Sequence, residues 1–83
     1  MNLFPNPSSG NTTLSLDVKQ KSDFKIVIWD MEGKSIMKEI ALGQLDEGDK
    51  TIDLDFSSFS NGIYIVELKT TEGSVYNKLL IAK

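Results

Sequence analysis

Phe24-Lys25-Ile26-Val27-Ile28-Trp29-Asp30-Met31-Glu32-Gly33-Lys34 is a run of strand-forming residues cut off by a turn. Beyond Lys25 the run is apolar at both alternating positions, so its strand has two apolar faces and belongs in the middle of a sheet. In Asp30-Met31-Glu32-Gly33 the aspartate can accept a backbone hydrogen bond at the first turn position. Gly33 tolerates the positive φ of a type I turn that closes into a bulge. A hairpin is therefore predicted, with Phe24 to Asp30 as one strand and Ser35 to Leu42 as the other.

Reading outward from this hairpin, hydrophobic residues keep a period of two, and the segments are separated by Gly, Asn, Asp and Ser. Further strands are expected at Leu3-Phe4, Thr12 to Val18, Lys50 to Asp55, Gly62 to Lys69 and Ser74 to Ala82. Thr70-Thr71-Glu72-Gly73 repeats the turn chemistry and predicts a second hairpin between the last two strands. Leu42 to Asp49 reads as a longer, looser connection that crosses between sheets or edges rather than forming a tight turn. A helical period over Met37 to Leu45 is opposed by Gly43 and the flanking β-branched residues. Seven strands in a chain of this size predict an all-β fold, an immunoglobulin-like antiparallel β-sandwich, because one open sheet would leave an apolar face in water.

Composition narrows the chemistry. The 83 residues are 40% hydrophobic and 25% charged, enough for one small domain, and they include no Cys, His or Arg. Disulfide scaffolds, thiolate or imidazole metal sites and catalysis built on Cys or His are thereby excluded. Nine Lys against twelve Asp and Glu leave a net charge of −3, which disfavours nucleic acid as a partner. No apolar run approaches the roughly 18 to 20 residues of a transmembrane helix. No signal-peptide core precedes the first turn.

Several local features admit more than one reading. Phe4-Pro5-Asn6-Pro7-Ser8-Ser9-Gly10 is stiff, cannot pair as a central strand, and should enter along an edge. Gly62-Ile63-Tyr64 at a strand start matches a tyrosine corner, in which the phenol bonds back to nearby backbone. Asp53, Asp55 and Asp46-Glu47-Gly48-Asp49 carry carboxylates, but the spacing is not that of a calcium loop and alternation puts Asp53 and Asp55 in solvent. Asn11-Thr12-Thr13 is a sequon with no role assigned. Trp29 is either core or a stacking platform for sugars. The terminal Leu79-Leu80-Ile81 run must pair to be stable, and Asn77 interrupts its alternation in a way that predicts a bulge. A terminal strand of this kind suits recognition by edge pairing or through its carboxylate.

Four of these pieces resemble, in order and nearly end to end, the C-terminal sorting domain of the type IX secretion system of Bacteroidetes-type bacteria. They are Phe4-Pro5-Asn6-Pro7, Asp30-Met31-Glu32-Gly33-Lys34, Phe59-Ser60-Asn61-Gly62-Ile63-Tyr64, and Lys78 with Lys83. Phe4 stands where Tyr is common and Phe59 where Leu is common, and both keep an apolar anchor.

The resemblance implies a sorting signal rather than an enzyme, without cofactor or metal. It implies a cargo, linker and cleavage site N-terminal to residues 1–83, since Met1-Asn2 stands immediately before the motif. It implies recognition by the outer-membrane translocon and a shuttle protein, with periplasmic transit and then removal by a sortase-like peptidase, leaving the cargo at the cell surface or secreted. Lys78, Leu79, Ile81 and Lys83 are the expected recognition residues. Gly62, Tyr64 and Gly73 are expected to hold the hairpin that presents them, Pro5, Asn6 and Pro7 to fix the entry, and Asp30 and Gly33 the central turn. The competing reading is an accessory module that binds polysaccharide through Trp29 and the tyrosines, or an inert spacer.

Overall fold

A computed structural model describes residues 1–83. The chain forms seven strands and no helix: β1 Asn2–Phe4, β2 Asn11–Val18, β3 Ser22–Trp29, β4 Ile36–Leu45, β5 Gly48–Asp55, β6 Gly62–Thr70 and β7 Gly73–Ile81. They make two antiparallel sheets, one in the order β1-β2-β5 and one in the order β4-β3-β6-β7. This is the sandwich that the alternation predicted. β3 is central, paired on both sides, as its two apolar faces require.

The period of two places one side chain set of each strand between the sheets. Leu14, Leu16 and Val18 of β2 and Leu54 of β5 meet Phe24, Ile26 and Ile28 of β3, Tyr64, Val66 and Leu68 of β6, and Leu79 and Ile81 of β7. Leu3 and Phe56 complete the cluster. Burying a side chain of this kind contributes about 1.5–3 kcal/mol, and with no Cys in the chain this core carries the fold.

Both predicted hairpins form. At the first, the Gly33 N–H donates to the Asp30 carbonyl at 3.0 Å, and Gly33 has φ +70°, the left-handed region that a side chain resists. The Lys34 N–H donates to Asp30 Oδ1 at 2.9 Å. This bond is the main cause that holds the Asp30 carboxyl below the ordinary aspartate value.

Two expectations are corrected. The stretch Leu42 to Asp49 does cross between sheets, but it is no loose loop. β4 continues to Leu45, and only Asp46-Glu47 separates it from β5. Gly43, read from sequence as opposing a helix here, lies in β4 beside a bulge where the β3–β4 register shifts between Phe24 and Lys25, so the strand bends and goes on. The bulge expected at Asn77 is absent. β7 pairs with β6 in continuous register, Asn77 opposite Val66, and the Asn77 Nδ2 donates to the Met1 carbonyl at 3.3 Å.

Candidate functional site

The terminal hairpin, β6 and β7, lies at one side of the four-stranded sheet, and β7 is its edge strand. Gly73 opens β7 with φ +143°, and Thr70 ties the turn by donating its hydroxyl to the Gly73 carbonyl at 3.2 Å. Gly62 starts β6 opposite Ile81. Two residues on, the Tyr64 hydroxyl donates to the Ser60 carbonyl at 2.8 Å while its ring packs edge-on against Phe59, centroids 5.2 Å apart. This is the tyrosine corner that the Gly62-Ile63-Tyr64 spacing predicted, with Tyr64 only 7% exposed.

The N-terminal motif reaches this hairpin. β1 is an edge strand of the other sheet, as the prolines require. Both prolyl bonds, Phe4-Pro5 and Asn6-Pro7, are cis. The segment then runs beside the end of β7, where Asn6 Nδ2 donates to the Lys78 carbonyl at 2.8 Å and the Leu80 N–H donates to Asn6 Oδ1 at 3.1 Å. Ser8 adds a parallel bridge: its N–H donates to the Leu80 carbonyl and its carbonyl accepts from the Ala82 N–H, both at 2.8 Å. The Ser8 side chain, almost wholly buried, accepts from the Gly10 N–H and donates to the Asn11 carbonyl. Thr12 donates its hydroxyl to the Pro5 carbonyl at 3.0 Å. Pro5 and Pro7 are exposed and shape the backbone that aims Asn6 and Ser8 at β7.

The expected recognition residues divide into three environments. Leu79 and Ile81 have no exposed surface and point into the core, so in the folded domain they hold β7 down and present nothing to a partner. Lys83 is a fastener: its N–H donates to Asn61 Oδ1 at 2.9 Å and its ammonium donates to the carbonyls of Ser57 and Phe59. Lys78 is exposed on the outer sheet face and makes no ion pair. Of the four, Lys78 alone offers an unengaged side chain.

Sequence reasoning missed Glu67, which occupies an outward position of β6 yet is 4% exposed. Its carboxylate accepts from Trp29 Nε1 at 2.8 Å, from the Ser74 hydroxyl, and from the Tyr76 hydroxyl at 3.3 Å. Burial pushes the Glu67 pKa up and is the largest single effect. The bonds from Ser74, Trp29 and Tyr76 with the charge of Lys69 together outweigh it, leaving the carboxyl below the ordinary glutamate value. Ser74 and Tyr76, on the strand that the second hairpin prediction sets beside Glu67, were the available signal; Trp29 joins them only through the β3–β6 pairing.

This network also places Trp29. Trp29, Gly33, Ile65 and Tyr76 line a cleft of about 170 Å³. Trp29 Nε1 and the Tyr76 hydroxyl both donate to the Glu67 carboxylate, so the polar atoms of the two rings are engaged within the sheet. Asp53 and Asp55 lie in solvent as predicted, where Asp53 accepts from the Thr13 hydroxyl and Asp55 from the Ser57 N–H. No three carboxylates converge as a metal site would need.

The family described as the secretion system C-terminal sorting domain matches residues 2–82. No curated protein and no solved structure matches the chain significantly. The match runs from β1 to Ala82 and spans the Asn6 and Ser8 contacts to β7, both hairpins and the tyrosine corner; of the residues in the four motifs, Lys83 alone lies beyond it. The chain thus belongs to this family and is a C-terminal sorting signal of the type IX secretion system, which implies attachment to an N-terminal cargo and export to the cell surface or beyond.

Proposed function

We propose that residues 1–83 act as one sorting domain, read in the folded state by the outer-membrane translocon and a shuttle protein, and then cut from the cargo by a sortase-like peptidase. The cargo passes through the periplasm with the domain attached. The domain itself performs no catalysis.

The observation that carries this reading is the coincidence of the two ends of the chain on one strand. β7 is held against the sandwich by Asn6 and Ser8 from one side and by β6 from the other, while Lys78 stays exposed and unpaired. A signal that must be recognised on unrelated cargoes needs a surface whose geometry does not depend on the cargo, and a clamped terminal strand supplies one. Gly62, Tyr64 and Gly73 serve that geometry, and Leu79, Ile81 and Lys83 act through it. Lys78 is the residue placed to touch a partner.

Fusion of residues 1–83 to a reporter carrying its own first-step export signal, in a type IX host, tests the reading. Surface delivery should require the domain and be lost when Leu79 to Lys83 are deleted. Equal delivery by the reporter without residues 1–83 overturns it.

A further inference from the structure

We infer that a five-residue window of β7, Ser74 to Lys78, is a docking edge for an extended, acidic and apolar segment of a partner protein, which adds to the sheet as a fifth strand. This rests on the sorting reading and names the surface and the chemistry of its partner.

The window follows from counting main-chain groups. On β7 the even-numbered residues turn their N–H and C=O away from β6, as the bonds of Lys78 and Leu80 to Asn6 demonstrate. The clamp engages the Lys78 carbonyl, both groups of Leu80 and the Ala82 N–H. The N–H and C=O of Ser74 and of Tyr76, and the N–H of Lys78, have no partner within the chain. An open edge of this kind is a template for another extended segment. The clamp closes it beyond Lys78, so it fixes where pairing must stop.

The side chains bordering the window define the occupant. Val75, on the core-side face, is 52% exposed, and Tyr76, on the outer face, is 60% exposed. The Tyr76 ring is oriented by its hydroxyl's bond to Glu67. Apolar side chains at two successive positions of an added strand would cover Val75 and Tyr76. Lys78 is an unpaired cation on an acidic chain, and Lys69 is a second on the same outer face. The neighbouring carboxylate, Glu67, is taken up by its three donors. Charge complementarity therefore calls for an acidic side chain opposite Lys78. The same lysine keeps this edge from pairing with uncharged strands.

Proline substitution separates main-chain pairing from side-chain contact, because the Tyr76 N–H faces away from β6 and its loss leaves the β6–β7 ladder whole. In the reporter assay Tyr76→Pro is expected to lower surface delivery about tenfold below Tyr76→Ala, which loses the ring but keeps the N–H. Lys78→Glu is expected to lower it by a similar factor, and Lys78→Arg to restore it. Each isolated variant should melt close to its comparison protein, which keeps failure to fold apart from failure to dock. Equal delivery by Tyr76→Pro and Tyr76→Ala, or full delivery by Lys78→Glu, overturns the inference while the sorting reading stands if delivery still needs the domain. Concentration-dependent dimerisation of the wild-type chain in sedimentation, abolished by Tyr76→Pro, also overturns it, because the edge is then taken by a second copy.

Discussion

The Leu80 N–H donates to the Asn6 side-chain oxygen at 3.1 Å across 74 residues of sequence, and the same carboxamide donates to the Lys78 carbonyl at 2.8 Å. One side chain thus stands where a neighbouring strand would present a peptide group. Asn6→Ala should cost about 1–3 kcal/mol, since two hydrogen bonds vanish together. Asn6→Asp should be no better, because an oxygen then faces the Lys78 carbonyl. Denaturant unfolding measures the loss, and amide exchange should show Leu80 deprotected in Asn6→Ala before the rest of β7.

The tyrosine corner gives a narrower prediction. Tyr64→Phe removes the bond to the Ser60 carbonyl and keeps the ring against Phe59, so the cost should be about 0.5–1.5 kcal/mol. Tyr64→Ala also empties a core position and should cost about 3–5 kcal/mol. Calorimetric melting of the two variants distinguishes the hydroxyl from the ring.

Residues adjacent in β7 should behave oppositely. Leu79→Ala or Ile81→Ala leaves a cavity in the core and should destabilise by about 2–5 kcal/mol. Lys78→Ala, exposed and unpaired, should stay within about 0.5 kcal/mol of the wild type. A Leu79→Ala domain as stable as the wild type would contradict the inward orientation of that side chain.

Glu67 makes the fold sensitive to acid. Its folded pKa lies below the unfolded value of about 4.3, so the unfolded chain binds the proton more readily. The contribution to stability is complete above about pH 4.3 and falls as the pH drops through the folded pKa. Glu67→Gln should weaken the domain at neutral pH and flatten this acid limb. Urea unfolding between about pH 2 and pH 6 checks the sign. A Glu67→Gln protein with the same pH slope as the wild type would count against the network.

Much of the architecture was legible locally. Alternation along Thr12 to Val18 and Lys50 to Asp55 marks strands with one buried face, and the double-sided run Phe24 to Trp29 marks a central one. Asp30 to Gly33 and Thr70 to Gly73 announce their turns because a four-residue turn is decided by the φ preferences and side-chain bonds of those four residues. Tyr64 was readable too, since its partner Ser60 is four residues away. The bend at Gly43 was not, because a bulge depends on what the neighbouring strand offers. The outward Trp29 was undecidable while both faces of its strand were apolar.

The sequence by itself determined the seven strands, the two hairpin turns at Asp30 to Gly33 and Thr70 to Gly73, and the alternation that closes the sandwich, since these follow from peptide geometry and the period of two. Only the tertiary structure decided that Asn6 and Ser8 meet β7, that Lys83 fastens the Ser57 and Phe59 carbonyls, that Glu67 is buried under Trp29 and Tyr76, and that the open edge ends at Lys78. Each joins groups far apart in the chain. Which of them meet is set by the stacking of two sheets and the order of strands within each, and no local preference of the residues carries that information.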